Sequence, residues 1–196
     1  HGNGTQTIFY ERDDVLTISL HQENCFPPGY SGADDRGAGA GEGYNINVPL
    51  LPGQGHEAYM YAMERIVTPA IEAYQPELIV VASGLDANCF DPLARMLVHS
   101  RTYAALTEQT MALADKFCAG RLVMVHEGGY AESAVPFCAH TIVEALTGET
   151  SDVVDPTLEV GELWQPNERV VALQRQLIDE MAGAWRDIDG AEHFGF

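Results

Sequence analysis

Asp86 is the residue of this sequence that is best placed to do chemistry. It follows an apolar run at residues 78–82 that is too short for a helix and too continuous for a half-exposed strand, so the run predicts a buried parallel strand. In parallel sheets, ligands bind just beyond the carboxyl ends of the strands, where a carboxylate can do chemistry or hold a metal ion. The alternative is that Asp86 caps the next helix, and its position alone favours this cap. Asp91, which precedes a proline in the same loop, is expected to start a helix.

A second chemical group follows the strand predicted at residues 121–126. Gly128 and Gly129 let the backbone approach a ligand closely, and the Tyr130 hydroxyl could then donate to a developing oxyanion. The alternative is a glycine-rich turn with Tyr130 packed into the core, and the short motif alone favours this alternative. Because the carboxyl ends of parallel strands share one edge of a sheet, these polar segments are expected to converge with a third from the strand predicted at residues 14–20.

Strands alternate with helices along the chain, which is typical of an α/β fold with a mostly parallel sheet flanked by helices. Pro69 is expected to kink or shorten the first helix. Residues 1–196 are predicted to form one domain, with the motifs in residues 1–148 and a peripheral helical segment at 149–196. The predicted strands are 14–20, one that begins at 45 and ends near Pro49, 78–82 and 121–126. The predicted helices are 56–74, 102–117, one that ends near 146, and 168–184.

The composition excludes several classes of function. Hydrophobic residues make up 46% and charged residues 20% of the chain, which is typical of a globular protein with a sizeable core. The formal net charge of −19 argues against partners such as nucleic acid or an anionic membrane surface. No apolar run reaches membrane-spanning length and no signal peptide is recognisable, so a cytoplasmic location is predicted. The number of subunits stays open, and a homo-oligomer is one of the alternatives.

Metal-binding spacings are absent from the sequence. The four cysteines form no C-x-x-C pair, which excludes a zinc knuckle or a dithiol redox motif and indicates buried, reduced thiols. A catalytic zinc site needs about three protein ligands and an open position for water. The histidines form no H-x-x-x-H or H-x-x-E-H motif, so Asp86 has no obvious partner ligand. The isolated candidates are His21, His56, His99, His126, His140 and His193.

Several short motifs nevertheless occur together in a characteristic order. They are HGNGTQ at 1–6, ISLH at 18–21, FP at 26–27, NINVPL at 45–50, SGLDA at 83–87, DP at 91–92 and EGGY at 127–130. In order and spacing, this set resembles the histone deacetylase superfamily, and specifically its class II-like bacterial amidohydrolases. The resemblance extends from the first residue to about residue 148. It implies the arginase/deacetylase fold, present here as its C-terminal part, with the site at the carboxyl edge of the sheet.

The resemblance also implies a reaction, the zinc-dependent hydrolysis of an N-acetyl amide to acetate and a free amine. Zinc would lower the pKa of bound water and polarise the carbonyl, while a tyrosine stabilises the oxyanion. By resemblance, Asp86 matches the last zinc ligand and Tyr130 matches that tyrosine. Asn3 matches the polar partner of a catalytic histidine. The residues that match the walls of the substrate tunnel are Phe26, which is one of two aromatic walls, and the backbones of Gly128 and Gly129.

Members of this superfamily also bind monovalent cations, usually potassium. The resemblance places Ser19 and Leu20 in an inner potassium site beside the zinc. The cofactors that it implies are therefore Zn²⁺ and K⁺. The backbones of four further residues match an outer potassium site, and these are Phe9, Arg12, Val15 and Tyr44.

The sequence departs from the family pattern at its beginning. The family motif reads Asp-x-His-His-Gly-Asn-Gly-Thr-Gln, and its Asp and first His are the other two zinc ligands. His1 matches the second His, so both ligands, the upstream catalytic His pair and the other aromatic wall would precede the chain. We therefore expect this polypeptide to represent the C-terminal half of a deacetylase domain, and to bind zinc poorly and lack activity by itself.

Two substrates stay open, an acetyl-lysine peptide and an acetylated small molecule such as an acetylpolyamine. Leu93 stands where polyamine-selective eukaryotic relatives carry a gatekeeper glutamate that pairs with a cationic backbone, which favours acetyl-lysine. A ureohydrolase of the same fold would need a second Asp two residues after Asp86, where Asn88 stands. A non-catalytic binding protein is a further alternative, although the residues that match the metal ligand and the tyrosine are retained.

Overall fold

The computed structural model describes residues 1–186, so that His193 lies outside the described residues. All the predicted strands and helices are present, whereas α1 and α6 have no counterpart in the sequence prediction. The strands are β1 (Thr17–Gln22), β2 (Asn45–Leu50), β3 (Ile79–Ser83) and β4 (Leu122–His126). The helices are α1 (Asn3–Phe9), α2 (His56–Ala62), α3 (Thr68–Tyr74), α4 (Ser100–Cys118), α5 (Val135–Thr147), α6 (Leu158–Leu163) and α7 (Glu168–Arg186).

The four strands form two parallel pairs. β1 pairs with β2 in a register that sets Thr17 opposite Asn45, and β3 pairs with β4 in a register that sets Ile79 opposite Leu122. Parallel pairing confirms the predicted α/β class, because such strands need long crossover connections. Within residues 1–186 no ladder joins the two pairs, so the shared edge predicted for three strand ends is confirmed only for β3 and β4.

The core lies around β2 and is completed by the C-terminal helix. Ile46 and Val48 of β2 are fully buried and pack in the main hydrophobic cluster. Helix α7 adds Ile178 and Trp185 to the same cluster, and both are also fully buried. The prediction that residues 149–196 are peripheral is therefore wrong for this helix, because its apolar stripe closes the core.

The helix predicted at residues 56–74 consists of three consecutive helical segments. Its middle turn is π-helical over Met63–Val67, and α3 begins directly after that turn. Pro69 lies in the first turn of α3, and the Thr68 N–H group just before it donates to the Met63 carbonyl across the π-helical turn. The sequence predicts a kink or shortening at Pro69, and the structure has a change of helix type just before it, with Ile66 kept fully buried at the transition.

One face of the β3–β4 pair is uncovered in the part of the chain that the structure describes. Val80 is 59% exposed, and Val123 and Val125 are each 47% exposed. We call these three residues the valine face. Parallel strands are normally covered on both faces, so an exposed apolar surface of this kind is typical of an interface.

Two predictions from composition can be compared with the structure. Cys118 and Cys138 are free and buried, as predicted, whereas Cys25 and Cys89 are free but partly exposed. None of the helices that residues 1–186 form combines the length and the apolar character that a membrane crossing requires.

Candidate active site

The Asp86 carboxylate lies beyond the carboxyl end of β3, against the backbone of the loop that follows β4. A Cβ atom added to Gly128 would come 2.9 Å from Asp86 Cγ, and one added to Gly84 would come 2.8 Å from Asp86 Oδ1. A side chain at either position would displace the carboxylate, so glycine is required for this close approach. Asp86 is partly buried, and the buried side chain of Leu85 anchors the loop beside it.

The structure excludes the alternative in which Asp86 caps a helix. Turns follow Asp86, and the next helix, α4, begins only at Ser100. No residue within 1–186 forms a hydrogen bond or an ion pair with the Asp86 side chain. A carboxylate that no cationic side chain pairs with can offer its oxygens to a metal ion, so Asp86 is suited to one.

Two hydrogen bonds join the loop after β3 to the loop after β4. Leu85 N donates to the Gly128 carbonyl over 2.7 Å. Tyr130 N donates to Asp91 Oδ2 over 2.8 Å. The structure therefore brings the segment that carries Asp86 and the segment that carries Tyr130 together, as the common edge of β3 and β4 predicts.

Tyr130 is not packed into the core, so the alternative that the motif alone favours is wrong. Its side chain is 54% exposed. Gly129, just before it, has a φ of +140°, and a Cβ atom there would come 2.9 Å from Leu85 Cβ. The two glycines thus allow a close approach, but what they approach in this structure is the protein's own Asp86 and Leu85. Their predicted place in the wall of a substrate tunnel stays a prediction.

Two buried tyrosines are affected by the charge of Asp86. Burial raises the pKa of Tyr59 well above its ordinary value, and the Asp86 carboxylate raises it further. Burial likewise raises the pKa of Tyr103, with smaller contributions from Cys138, Tyr59 and Asp86. Both phenols therefore stay neutral. The Asp86 carboxylate lies near poorly solvated, uncharged groups, and a cation bound there would be a stabilising partner.

A buried histidine fixes the orientation of the Ser19 hydroxyl on β1. His21 Nε2 lies 2.9 Å from the Ser31 carbonyl oxygen, which can only accept, so Nε2 carries the ring proton. Ser19 Oγ therefore donates to His21 Nδ1 over 2.8 Å and accepts from Gly2 N over 3.1 Å. Burial lowers the pKa of His21 to about 4 and keeps the ring neutral. One lone pair of Ser19 Oγ thus remains available to a cation.

The residues predicted for an outer potassium site lie near the amino ends of the paired strands β1 and β2. Arg12 N donates to the Phe9 carbonyl over 3.0 Å, and Thr17 N donates to the Tyr44 carbonyl over 2.9 Å. Val15 lies between these segments, just before β1. The Tyr44 carbonyl also accepts from Thr17 Oγ1 over 3.4 Å, whereas the second lone pair of the Phe9 carbonyl leaves room for a cation. The potassium assignment itself stays a prediction.

The other predicted residues have diverse environments. Asn3 begins α1, and its Oδ1 lies 3.3 Å from His1 Nδ1. Leu20 packs against the core from β1. Phe26 is 79% exposed and Leu93 is 66% exposed, so both apolar side chains are accessible to a ligand. Their predicted roles in binding a substrate stay predictions.

Asp91 has a role that the sequence reasoning missed. The prediction that it starts a helix is wrong, because residues 91–94 form a turn and no helix begins before α4. Its side chain is buried and accepts hydrogen bonds from Leu93 N, Ala94 N and Tyr130 N. The available signal was an Asp-Pro pair with no helical pattern directly after it, which is typical of a turn closed by the aspartate side chain.

Asp86 has no partner ligand among the residues that the structure describes. Residues 1–186 contain no group of three or more His, Cys, Asp or Glu side chains that could hold a metal ion. His56 and His99 stack on each other, with ring centroids 5.6 Å apart. His126 lies exposed at the end of β4. The isolated histidines of the sequence thus do not complete a metal site around Asp86.

Known proteins are similar to this chain in sequence and in fold. A family model described as the histone deacetylase domain matches residues 1–146. A histone deacetylase-like amidohydrolase of Pseudomonas aeruginosa is 58% identical over 182 residues, which cover 93% of this chain and 48% of the relative. A probable deacetylase of Archaeoglobus fulgidus is 37% identical over 184 residues, which cover 92% of this chain and 51% of the relative. The solved structure of the histone deacetylase Clr3 matches with a TM-score of 0.77 at 27% identity, over 94% of this chain and 30% of that chain.

The strands are parallel and flanked by helices, and an acidic loop lies at their carboxyl ends. Together with the solved structures, these features define an α/β protein of the arginase/deacetylase fold. The chain belongs to the histone deacetylase family, because the family model matches well over half of it. The fold class and the resemblance drawn from the sequence are thereby confirmed. The chain spans about half the length of the curated relatives it matches.

Proposed function

We propose that this chain is part of a zinc-dependent deacylase that hydrolyses N-acetyl amides, such as acetyl-lysine side chains, to acetate and a free amine. The observation that carries the proposal is the Asp86 carboxylate. It is partly buried, lacks a cationic partner within residues 1–186, and lies in a loop that is hydrogen-bonded to the segment of Tyr130. Membership of a deacetylase family supports this class of reaction.

Zinc fits the donor that Asp86 offers. A carboxylate oxygen is a common zinc ligand, and its poorly solvated surroundings favour a bound cation. When bound, zinc lowers the pKa of its water and polarises the acyl carbonyl. Residues 1–186 offer no group of three ligands. We therefore propose that the other zinc ligands and the general base belong to the part of the relatives that this chain does not match, and that this chain alone is inactive.

Tyr130 supplies a hydrogen-bond donor in this reaction. Hydrolysis joins the oxygen of water to the acyl carbon, breaks the C–N bond and gives the amine nitrogen a proton. Negative charge develops on the acyl oxygen during the first of these changes, and a hydroxyl aimed at that oxygen stabilises the transition state. The half-exposed Tyr130 side chain is accessible to an acyl group, and its main chain is held by Asp91.

We also propose that potassium binds at the inner site through Ser19 and Leu20. Ser19 Oγ donates its proton to His21 and accepts from Gly2 N, so that one lone pair is free for a cation. Backbone carbonyls such as that of Leu20 are typical potassium ligands. The carbonyls proposed for the outer site are those of Phe9, Arg12, Val15 and Tyr44.

Leu93 favours acetyl-lysine as the substrate. Its neutral, exposed side chain offers no ion pair to the ammonium group of a polyamine. The net charge of −19 acts in the opposite direction, because an acidic protein attracts cations, so acetylpolyamine hydrolysis is the alternative. A second alternative is a non-catalytic binding protein, which the single candidate zinc ligand within residues 1–186 favours.

The test uses a protein that joins this chain to the N-terminal half of its relatives. The measurements are kcat/KM for an acetyl-lysine peptide and for acetylputrescine, together with the zinc content, before and after Asp86→Asn. We expect one zinc per protein, a preference for the peptide, and loss of both zinc and activity in the variant. Unchanged zinc content in the variant would refute the role of Asp86. A large preference for acetylputrescine would show that an acetylpolyamine, and not acetyl-lysine, is the substrate. Zinc bound tightly by the isolated chain would contradict its proposed inactivity.

A further inference from the structure

Asp91 is a buried carboxylate that the proposed reaction does not use. It is 8% exposed, and no cationic side chain pairs with it among residues 1–186. Three backbone N–H groups bind it instead. Leu93 and Ala94 donate to Oδ1 over 2.9 and 3.2 Å, and Tyr130 donates to Oδ2 over 2.8 Å. Such charge-assisted bonds are strong, so one oxygen holds its own turn while the other holds the neighbouring loop.

We propose that Asp91 is a positioning residue, which fixes the Tyr130 hydroxyl for catalysis by holding the Tyr130 main chain. This inference rests on the function proposed above for Tyr130. The Tyr130 side chain is 54% exposed, so packing constrains it little. On its N-terminal side the main chain is anchored by the bond from Leu85 N to the Gly128 carbonyl. Gly129 lies between the two bonds and has a φ of +140°. Because glycine is flexible, the bond to Asp91 is needed to fix the position of the Tyr130 main chain.

Asp91→Asn tests the link to Tyr130 without removing the turn. The amide oxygen of asparagine can still accept from Leu93 N and Ala94 N. Its NH₂ group then faces the Tyr130 N–H group, and two donors cannot form a hydrogen bond. The substitution thus preserves the size of the side chain and the cap of its own turn, and it removes the one bond that reaches the other loop.

Asp155 provides a matched control, because it also precedes a proline and also closes its own turn. Asp155 Oδ1 accepts from Thr157 N over 2.8 Å and from Thr157 Oγ1 over 2.7 Å, and Oδ2 accepts from Ser100 Oγ over 2.6 Å. A hydroxyl group can rotate to accept from an amide NH₂ group, whereas a backbone N–H group cannot. Asp155→Asn therefore keeps all three bonds, because the amide oxygen still accepts from Thr157. The two variants thus make the same chemical change in the same kind of turn.

Hydrogen exchange at the Tyr130 amide measures the link directly and does not depend on the reaction. In Asp91→Asn we expect this amide to exchange at least about tenfold faster, with no change in α4 and α5. In Asp155→Asn we expect the Tyr130 amide to be as protected as in the wild type. Equal protection of the Tyr130 amide in Asp91→Asn and in the wild type would overturn the proposal.

Kinetics on the protein with the joined N-terminal half separate positioning from folding. Asp91→Asn should lower kcat for an acetyl-lysine peptide about 10- to 100-fold and change KM by less than about threefold, because only the stabilisation of the developing charge is lost. In a Tyr130→Phe background the same substitution should leave kcat unchanged, because the hydroxyl that Asp91 positions is absent. A further loss of kcat in that background would indicate general damage and overturn the proposal.

A second variant covers the case in which Asp91→Asn folds poorly. Asp91→Glu keeps two acceptor oxygens and should restore part of the kcat lost in the asparagine variant, whereas no recovery would argue against positioning through the carboxylate. If Tyr130→Phe retains full kcat, the function proposed for Tyr130 fails, and the positioning role fails with it. Fast exchange of the Tyr130 amide in Asp91→Asn would then show that the hydrogen bond between Asp91 and Tyr130 exists as described, and that only the catalytic role proposed for Tyr130 is wrong.

Discussion

Gly128→Ala is the substitution for which the structure gives the sharpest expectation. The added Cβ atom would come 2.9 Å from Asp86 Cγ but 3.5 Å from Asp86 Cβ, which is an ordinary van der Waals contact. The clash is therefore with the carboxylate group. Gly128 is not one of the glycines with positive φ, so the backbone accepts alanine. Relief requires Asp86 to rotate or the two loops to separate, and overpacking of this kind lowers the free energy of unfolding by about 1–3 kcal/mol.

Urea unfolding measures this loss. With an m-value of about 2 kcal/mol/M, the unfolding midpoint should fall by about 0.5–1.5 M urea. Gly183→Ala is the control, because no atom lies within 4 Å of a Cβ atom at that position in α7. This control should raise the midpoint, since alanine favours a helix over glycine by about 1 kcal/mol.

Asp86→Ala supplies an internal test of the same reasoning. In that background the methyl group added at Gly128 meets only a Cβ atom, so Gly128→Ala should change the free energy of unfolding by less than about 0.5 kcal/mol. The two substitutions should therefore show a coupling energy of about 1–3 kcal/mol. If Gly128→Ala is equally destabilising with and without the carboxylate, or is not destabilising at all, the reasoning is refuted.

Three further predictions concern other parts of the structure. Tyr130→Phe should lower kcat for an acetyl-lysine peptide by about 10²–10³-fold with little change in KM, and an unchanged kcat would exclude Tyr130 as the oxyanion donor. Burial lowers the pKa of His21 from 6.5 to about 4, so the unfolded chain binds the proton first as the pH falls. His21 should not affect the free energy of unfolding above pH 6.5, and it should lower it by up to about 3 kcal/mol as the pH falls towards 4. In urea unfolding, the free energy of unfolding of His21→Gln should depend less on pH over this range. Trp185→Ala should lower the free energy of unfolding by about 3–5 kcal/mol, because it removes a fully buried side chain. A loss below about 1 kcal/mol would show that α7 contributes little to the core.

Elements with a regular apolar pattern could be predicted from the sequence. The strand predicted to begin at Asn45 and end near Pro49 is present as Asn45–Leu50, because Ile46 and Val48 face the core at the spacing of a strand. The proximity of the Asp86 and Tyr130 loops could also be predicted, because parallel strands place their carboxyl ends at one edge.

Helix α1 could not be predicted, because distant residues stabilise it. Its seven residues include glycine, asparagine and threonine, which are poor helix formers, and so short a helix is unstable by itself. Gln6 is buried in the structure, and its Oε1 accepts hydrogen bonds from Asn45 and Asn47 over 3.3 and 2.8 Å. These partners follow it by 39 and 41 residues, so no local pattern reveals them.

Helix α7 was predictable as a helix but not in its packing. An amphipathic pattern shows that one face is buried, and it does not show what covers that face. In the structure, Gln174 Oε1 accepts a hydrogen bond from Leu51 N over 3.1 Å, and the Ala184 carbonyl accepts one from Arg36 Nη1 over 3.0 Å. The partners in these two bonds are more than a hundred residues apart in sequence, so the sequence pattern of α7 does not reveal that the helix packs on the core.

The valine face and the net charge of −19 have opposite effects on this chain in solution. At low ionic strength, repulsion between acidic chains keeps their apolar faces apart. At about 0.15 M salt the Debye length is only about 8 Å, so repulsion over longer distances is screened. Salts such as sulfate also strengthen apolar contacts, which favours contact between two valine faces or adsorption to an apolar resin. Ionic strength therefore changes how readily this chain stays dispersed.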